Sequence, residues 1–251
     1  MVITPVTHEI ILLSGLADES GVLLDGVAKI AEKFGRVHHL KNVPNMESEM
    51  REAVSFDIML DTLEQGLHPL TANKRLILIG YSIGGTLAFA LADRLCRRGQ
   101  PTHLVILIDS SAVYYPSETS LTEDIRNGLR QGIHHLVRNL PLQLALRAGW
   151  LSAARAYVAC GRAINIRSMR GATKILLVRY WVNAISNVRL PVYSGRVILY
   201  KAVKHRPRIK EFDLGWGPFA KNLQIKPMPG DHWSILDQPE LYHDLHAVLS
   251  K

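Results

Sequence analysis

The chain has 251 residues, 47% hydrophobic and 21% charged, with 18 Gly, 12 Pro and two Cys. That profile suits a soluble globular protein with room for one substantial core and excludes collagen-like, low-complexity and disulfide-framework chains. The net charge of +8 is unevenly spread: residues 125–210 carry 17 of the 30 Lys and Arg and none of the 22 Asp and Glu, leaving −9 on the rest.

In chain order, "EIILLSG" (9–15) reads as a short buried strand closed by a glycine. "GVLLDGVAKIAEKFG" spaces its apolar residues at helical intervals, and "RVHHLKNV" suits a second strand. Residues 47–70 are helical in pattern, broken by His68-Pro69. The strand "RLILIG", a helix over 84–98 closed by Gly99 and Pro101, and the apolar run "HLVILIDS" follow. Residues 126–187 are mostly helical in pattern and rich in Arg and Ala. "GRVILYKAV" returns to strand, "NLQIKPMP" is a last short strand, and "QPELYHDLHAVLS" a closing helix. Strands alternating with helices predict an α/β fold with a mostly parallel sheet covered on both faces. The core is expected over 1–112 and 190–251, with a helical lid inserted at 113–189.

Gly80-Tyr81-Ser82-Ile83-Gly84 fits G-x-S-x-G, with a strand before it and a helix after. A sharp turn there lifts the Ser82 hydroxyl to the carboxyl end of the sheet, and Gly80 and Gly84 remove side chains that would clash. The N–H of Ile83, at a helix N-terminus, is placed to donate to a developing oxyanion. A serine hydroxyl needs a base to take its proton, and the base needs an orienting acid. Among 11 histidines, His232 in "PMPGDHWSIL" lies between the last strand and the last helix, where Pro229 and Gly230 turn the chain. Most of the others have structural readings, near the first strands (His8, His38, His39) or in helices (His134, His135, His243, His246).

The acid follows from the charge census. After "GRVILYKAV" comes "KHRPRIK", free of carboxylates; Glu211 and Asp213 come too late for a strand end. Asp109 instead closes "LVILID", one strand beyond Ser82. Neighbouring strands lie about 4.8 Å apart, so both side chains emerge at one sheet edge. Asp109 is the favoured acid and Asp213 the alternative. A second oxyanion donor is expected in "LLSGLADES" after the first strand, at Leu16 with Ala17 next.

Together "GYSIGGTLAFALADRL", "THLVILIDS", "YSGRVILYKA", "LGWGPFA" and "MPGDHWSIL" resemble the chain-releasing thioesterase domains of non-ribosomal peptide and polyketide synthases, within the α/β-hydrolase superfamily. In that family the acid commonly follows the strand after the elbow, in agreement with Asp109. The resemblance implies acyl transfer from a phosphopantetheine thioester on a carrier protein, with Ser82, His232 and Asp109 as nucleophile, base and acid. It implies hydrolysis or macrocyclisation as the release step and no metal or redox cofactor. Family members often carry "P-G" or "H-P" after the first strand; this chain has "SGLADES".

The cationic segment lacks acidic partners of its own, so it is expected to present positive surface suited to an acidic carrier protein. Apolar residues of the insertion, with Trp150 and Tyr157, are expected to wall an acyl channel or to form lid core. No nucleic-acid motif is present, and no apolar run reaches the roughly 18–20 residues of a membrane span. The opening residues lack the basic region of a signal peptide, and two cysteines suit a reducing, cytoplasmic setting. Three alternatives remain: a stand-alone editing thioesterase, a carboxylesterase or lipase of the same fold, and a binding module.

Overall fold

The computed structural model describes residues 8–15, 22–40, 56–67, 75–112, 185, 188–204 and 211–251. Six strands in these residues form one sheet: β1 (His8–Leu13), β2 (Gly35–Leu40), β3 (Leu76–Tyr81), β4 (Leu104–Ile108), β5 (Tyr193–Ala202) and β6 (Ala220–Met228). Their spatial order is β2-β1-β3-β4-β5-β6, and every neighbouring pair is parallel. Four α-helices accompany them among the described residues: α1 (Asp25–Ala31), α2 (Phe56–Leu67), α3 (Ile83–Arg97) and α4 (Pro239–Leu249).

β1, β3 and β4 are buried along their whole length, which explains why they read as unbroken apolar runs rather than alternating ones. Ile10 and Leu12, Ile77 and Ile79, and Ile106 and Ile108 join one core with Val27 and Ala31 of α1 and Leu241 and Leu245 of α4. The alternate residues Ile11, Leu13, Leu78, Val105 and Leu107 are also buried. On their side α3 packs against β1, β3 and β4, and α2 packs against α3. Each such Leu or Ile withdrawn from water contributes roughly 1.5–3 kcal/mol.

Local chemistry sets the element ends. α3 stops where Gly99, at φ 78°, lets its N–H reach the Cys96 carbonyl while Gln100 N–H reaches that of Leu95, a left-handed glycine termination. α4 begins on Pro239, which has no N–H to leave unpaired. β6 extends over nine residues, longer than the short strand expected, and carries Pro227. The proline is tolerated because β6 is an edge strand. On the other flank, the buried Glu9 of β1 accepts from Nε2 of His38 on β2 at 2.5 Å, so His38 has a structural partner.

Almost all described residues belong to one compact unit, Met1–Pro44, Ser55–Val113 and Val188–Lys251; Asn45–Val54 and Tyr114–Asn187 form the other. The expected helical lid over 113–189, with Trp150 and Tyr157, lies outside the described residues except for 185, 188 and 189. No helix among the described residues is long and apolar enough to cross a membrane.

Candidate active site

The turn from β3 into α3 is built from glycine contacts. A Cβ on Gly80 would stand 2.4 Å from the Gly84 carbonyl oxygen, and one on Gly84 would stand 2.2 Å from that of Leu13. Real Cβ atoms do not approach so closely, so the strand and helix can meet here only through glycines. A third glycine, Gly85, is equally constrained, since its Cβ would lie 2.5 Å from Ser110 Oγ. Between them Ser82 adopts φ 55° and ψ −128°, a conformation that favours glycine. The turn is tied down by Ser82 N–H to Ile108 O at 3.0 Å and Gly85 N–H to Ser82 O at 3.0 Å.

Three side chains far apart in sequence converge at this edge. Ser82 Oγ lies 3.1 Å from His232 Nε2, and His232 Nδ1 lies 2.7 Å from Asp109 Oδ2. The second carboxylate oxygen, Oδ1, accepts the Ala202 N–H at 3.0 Å from the end of β5. An ionised carboxylate can only accept, so Nδ1 donates to it and Nε2 is left to accept the Ser82 proton. Asp109, at φ 42°, also holds an uncommon backbone conformation. Its side chain is wholly buried, while the His232 ring is 16% exposed, so the carboxylate is shielded from water and the imidazole is not.

Asp213, the alternative acid, is committed elsewhere. Its Oδ1 accepts Gly215 N–H at 2.9 Å and its Oδ2 accepts Gly217 N–H at 2.7 Å. That turn presents Trp216, whose buried indole N–H donates to Ser110 O at 2.8 Å, and Leu214, whose carbonyl accepts Ala112 N–H at 3.0 Å. The "LGWGPFA" stretch thus braces the chain that follows Asp109.

Of the expected oxyanion donors, Ile83 is the first residue of α3, so its N–H has no place in the intrahelical ladder. Leu16 and Ala17 lie outside the described residues. Gly15 just before them passes close to Ser82: a Cβ there would be 3.3 Å from Ser82 Cβ.

Several contributors were not singled out from the sequence. Tyr81 stacks its ring on that of His232, with centroids 5.0 Å apart at 21°, and donates its hydroxyl to His232 O at 2.6 Å. Asp231 Oδ1 accepts the N–H groups of Trp233 at 3.0 Å and Ser234 at 2.9 Å, and the Ser234 hydroxyl at 2.9 Å. Hydrogen bonds from the Ser234 backbone and hydroxyl and the Trp233 N–H, reinforced by Lys204, hold its carboxyl below the ordinary range. The D-x-x-S spacing is a legible turn signal, whereas the Ala202 N–H is backbone and leaves no mark in the sequence.

A family model described as "Thioesterase domain" matches residues 30–248. Among solved structures, the NocB thioesterase domain in covalent complex with a fluorophosphonate nocardicin G analog is 15% identical, with a TM-score of 0.65, covering 98% of this chain and 93% of that one. The Vlm2 thioesterase domain bound with a dodecadepsipeptide is 16% identical, TM-score 0.63, covering 96% of each chain. ClbQ from the colibactin NRPS/PKS pathway is 11% identical, TM-score 0.62, covering 97% of this chain and 96% of that one. At these identities the likeness shows the α/β fold that the sequence pattern implied.

Proposed function

The chain belongs to the thioesterase domain family, and from that premise we propose that it releases acyl or peptidyl chains from the phosphopantetheine thioester of a carrier protein through a Ser82 acyl-enzyme. The observation that carries the reading is the relay at the sheet edge, 3.1 Å from Ser82 Oγ to His232 Nε2 and 2.7 Å from His232 Nδ1 to Asp109. Ser82 Oγ attacks the thioester carbonyl carbon as His232 takes its proton, and Asp109 stabilises the imidazolium. The Ile83 N–H, with that of Leu16, holds the oxyanion. The C–S bond breaks, the imidazolium proton goes to the departing sulfur, and the acyl group stays on Ser82 as an ester. Water, or a hydroxyl or amine of the chain itself, then attacks that ester with His232 again as base, giving a free acid or a macrocycle. Written this way the reaction consumes no metal or redox cofactor.

The carrier protein is proposed to dock on the basic 126–210 region in a cytoplasmic setting. Lys204 supports this: it is exposed, and its N–H donates to the Gly230 carbonyl at 2.9 Å, two residues from the base. Origins of the structural neighbours in natural-product assembly favour chains of that class.

The test compares kcat/KM on an acyl-carrier thioester, the matched small pantetheine thioester and the matched oxygen ester, alongside fluorophosphonate labelling. Preference for the carrier thioester and loss of labelling in Ser82→Ala are expected. Preference for the free ester overturns the carrier reading, and equal labelling of Ser82→Ala overturns the nucleophile. Mass analysis of the product distinguishes acid from macrocycle.

A further inference from the structure

Tyr81 stands directly before the nucleophile in the chain, yet its side chain addresses the base. It is buried to 1% exposure at the end of β3, where it pairs with Ile108. Its hydroxyl donates to the backbone carbonyl of His232 at 2.6 Å, and its ring lies nearly parallel to the imidazole, centroids 5.0 Å apart. The segment is also held by its own turn through Asp231 and Ser234, by the Lys204 N–H on the Gly230 carbonyl at 2.9 Å, and through the imidazole by Asp109. The Trp233 ring meets the imidazole edge-on at 78°, with centroids 5.5 Å apart.

We propose that Tyr81 is a positioning residue that holds the His232 ring in register with Ser82. Ser82 follows directly on β3 and His232 lies in a turn, so a link from β3 to that turn bears on the Oγ–Nε2 distance beside the hold that Asp109 has on Nδ1. The two contacts act on different freedoms. The hydroxyl fixes the backbone that carries His232, and the stacked ring limits rotation of the imidazole. Neither touches the substrate, so the effect appears in the chemical step and not in binding.

This inference rests on Ser82 and His232 acting as nucleophile and base. The test is a double-mutant cycle on the wild type, Tyr81→Phe, His232→Ala and the double variant, read as ester hydrolysis and fluorophosphonate labelling of Ser82. Tyr81→Phe keeps the ring and removes the donor. The expected result is about a tenfold fall in kcat, the scale of one lost hydrogen bond, with KM within about twofold and Tm lowered by no more than roughly 2–6 °C. Once His232 is alanine, Tyr81→Phe should lower the residual rate no further. Tyr81→Leu removes both contacts, with an expected loss of about 100-fold in kcat. Equal losses from Tyr81→Phe in both backgrounds, a loss confined to KM, or no loss overturns the positioning role. A wild type that Ser82 labelling does not touch instead overturns the proposed function itself.

Discussion

Asp109 and His232 meet at 2.7 Å although 123 residues separate them. The carboxylate is held from the opposite side by the Ala202 N–H at 3.0 Å, so three strand ends define its position. Asp213 spends both of its oxygens on the turn at Gly215 and Gly217. Asp109→Ala is therefore expected to lower kcat by about 10³–10⁴. Asp213→Ala, compared per folded molecule, should keep activity within roughly tenfold while lowering Tm. Comparable kinetic losses in the two variants would mean the acid is misassigned.

The elbow glycines should differ sharply from an ordinary glycine. A Cβ on Gly84 meets two backbone carbonyls, at 2.2 and 2.5 Å, whereas one on Gly99 meets nothing within 4 Å. Gly84→Ala is expected to destabilise by about 3 kcal/mol or more, roughly 6–12 °C in Tm. Gly99→Ala carries only the left-handed backbone term of about 1–2 kcal/mol. Thermal unfolding of both variants checks the order; equal Tm values would rule out the close approach of α3 to β1.

Ser110 offers a substitution expected to do no harm. Its hydroxyl is buried and has no hydrogen-bond partner among the described residues, although its carbonyl accepts the Trp216 indole N–H. An unsatisfied buried hydroxyl opposes folding. Ser110→Ala should leave Tm unchanged or raise it by roughly 2–4 °C, measured by calorimetry. A clear fall in Tm would show that the hydroxyl has a partner.

Asp231 makes the His232 turn sensitive to acid. Its folded-state pKa lies below the ordinary value because Ser234 and Trp233 donate to its charged form. A carboxyl lowered on folding stabilises the fold above its unfolded pKa, near 3.9, and loses that contribution as pH falls through the folded value. Asp231→Ala should therefore melt below the wild type near pH 7, with the gap narrowing as pH falls below the ordinary carboxyl range. A gap that persists undiminished in acid would show that the side chain acts through something other than its charge.

Much of the fold was legible because the strands advertise their burial. "LILIGY" and "LVILI" are apolar at every position since helices cover both sheet faces, and glycines mark where strand becomes helix. Ser82, His232 and Asp109 could be named as candidates, Asp109 because residues 125–210 hold no carboxylate to compete with it, and the structure brings the three within hydrogen-bonding distance. Less visible was β6, whose charged, proline-bearing run reads as a short strand because an edge needs burial on fewer sides.

What the sequence determined by itself, then, was the alternation of elements, the elbow and the short list of candidate groups, all consequences of local pattern and of charge simply being absent. Which of those groups touch was decided only by tertiary structure. The Ala202 N–H on Asp109, the Tyr81 hydroxyl on the His232 carbonyl and the Trp216 indole on Ser110 join residues 93, 151 and 106 positions apart. Two of their acceptors are main-chain carbonyls and one donor is a main-chain N–H, groups every residue carries. Composition cannot distinguish them, and only the folding of the parallel sheet, with the turns that follow β5 and β6, brings them within hydrogen-bonding distance.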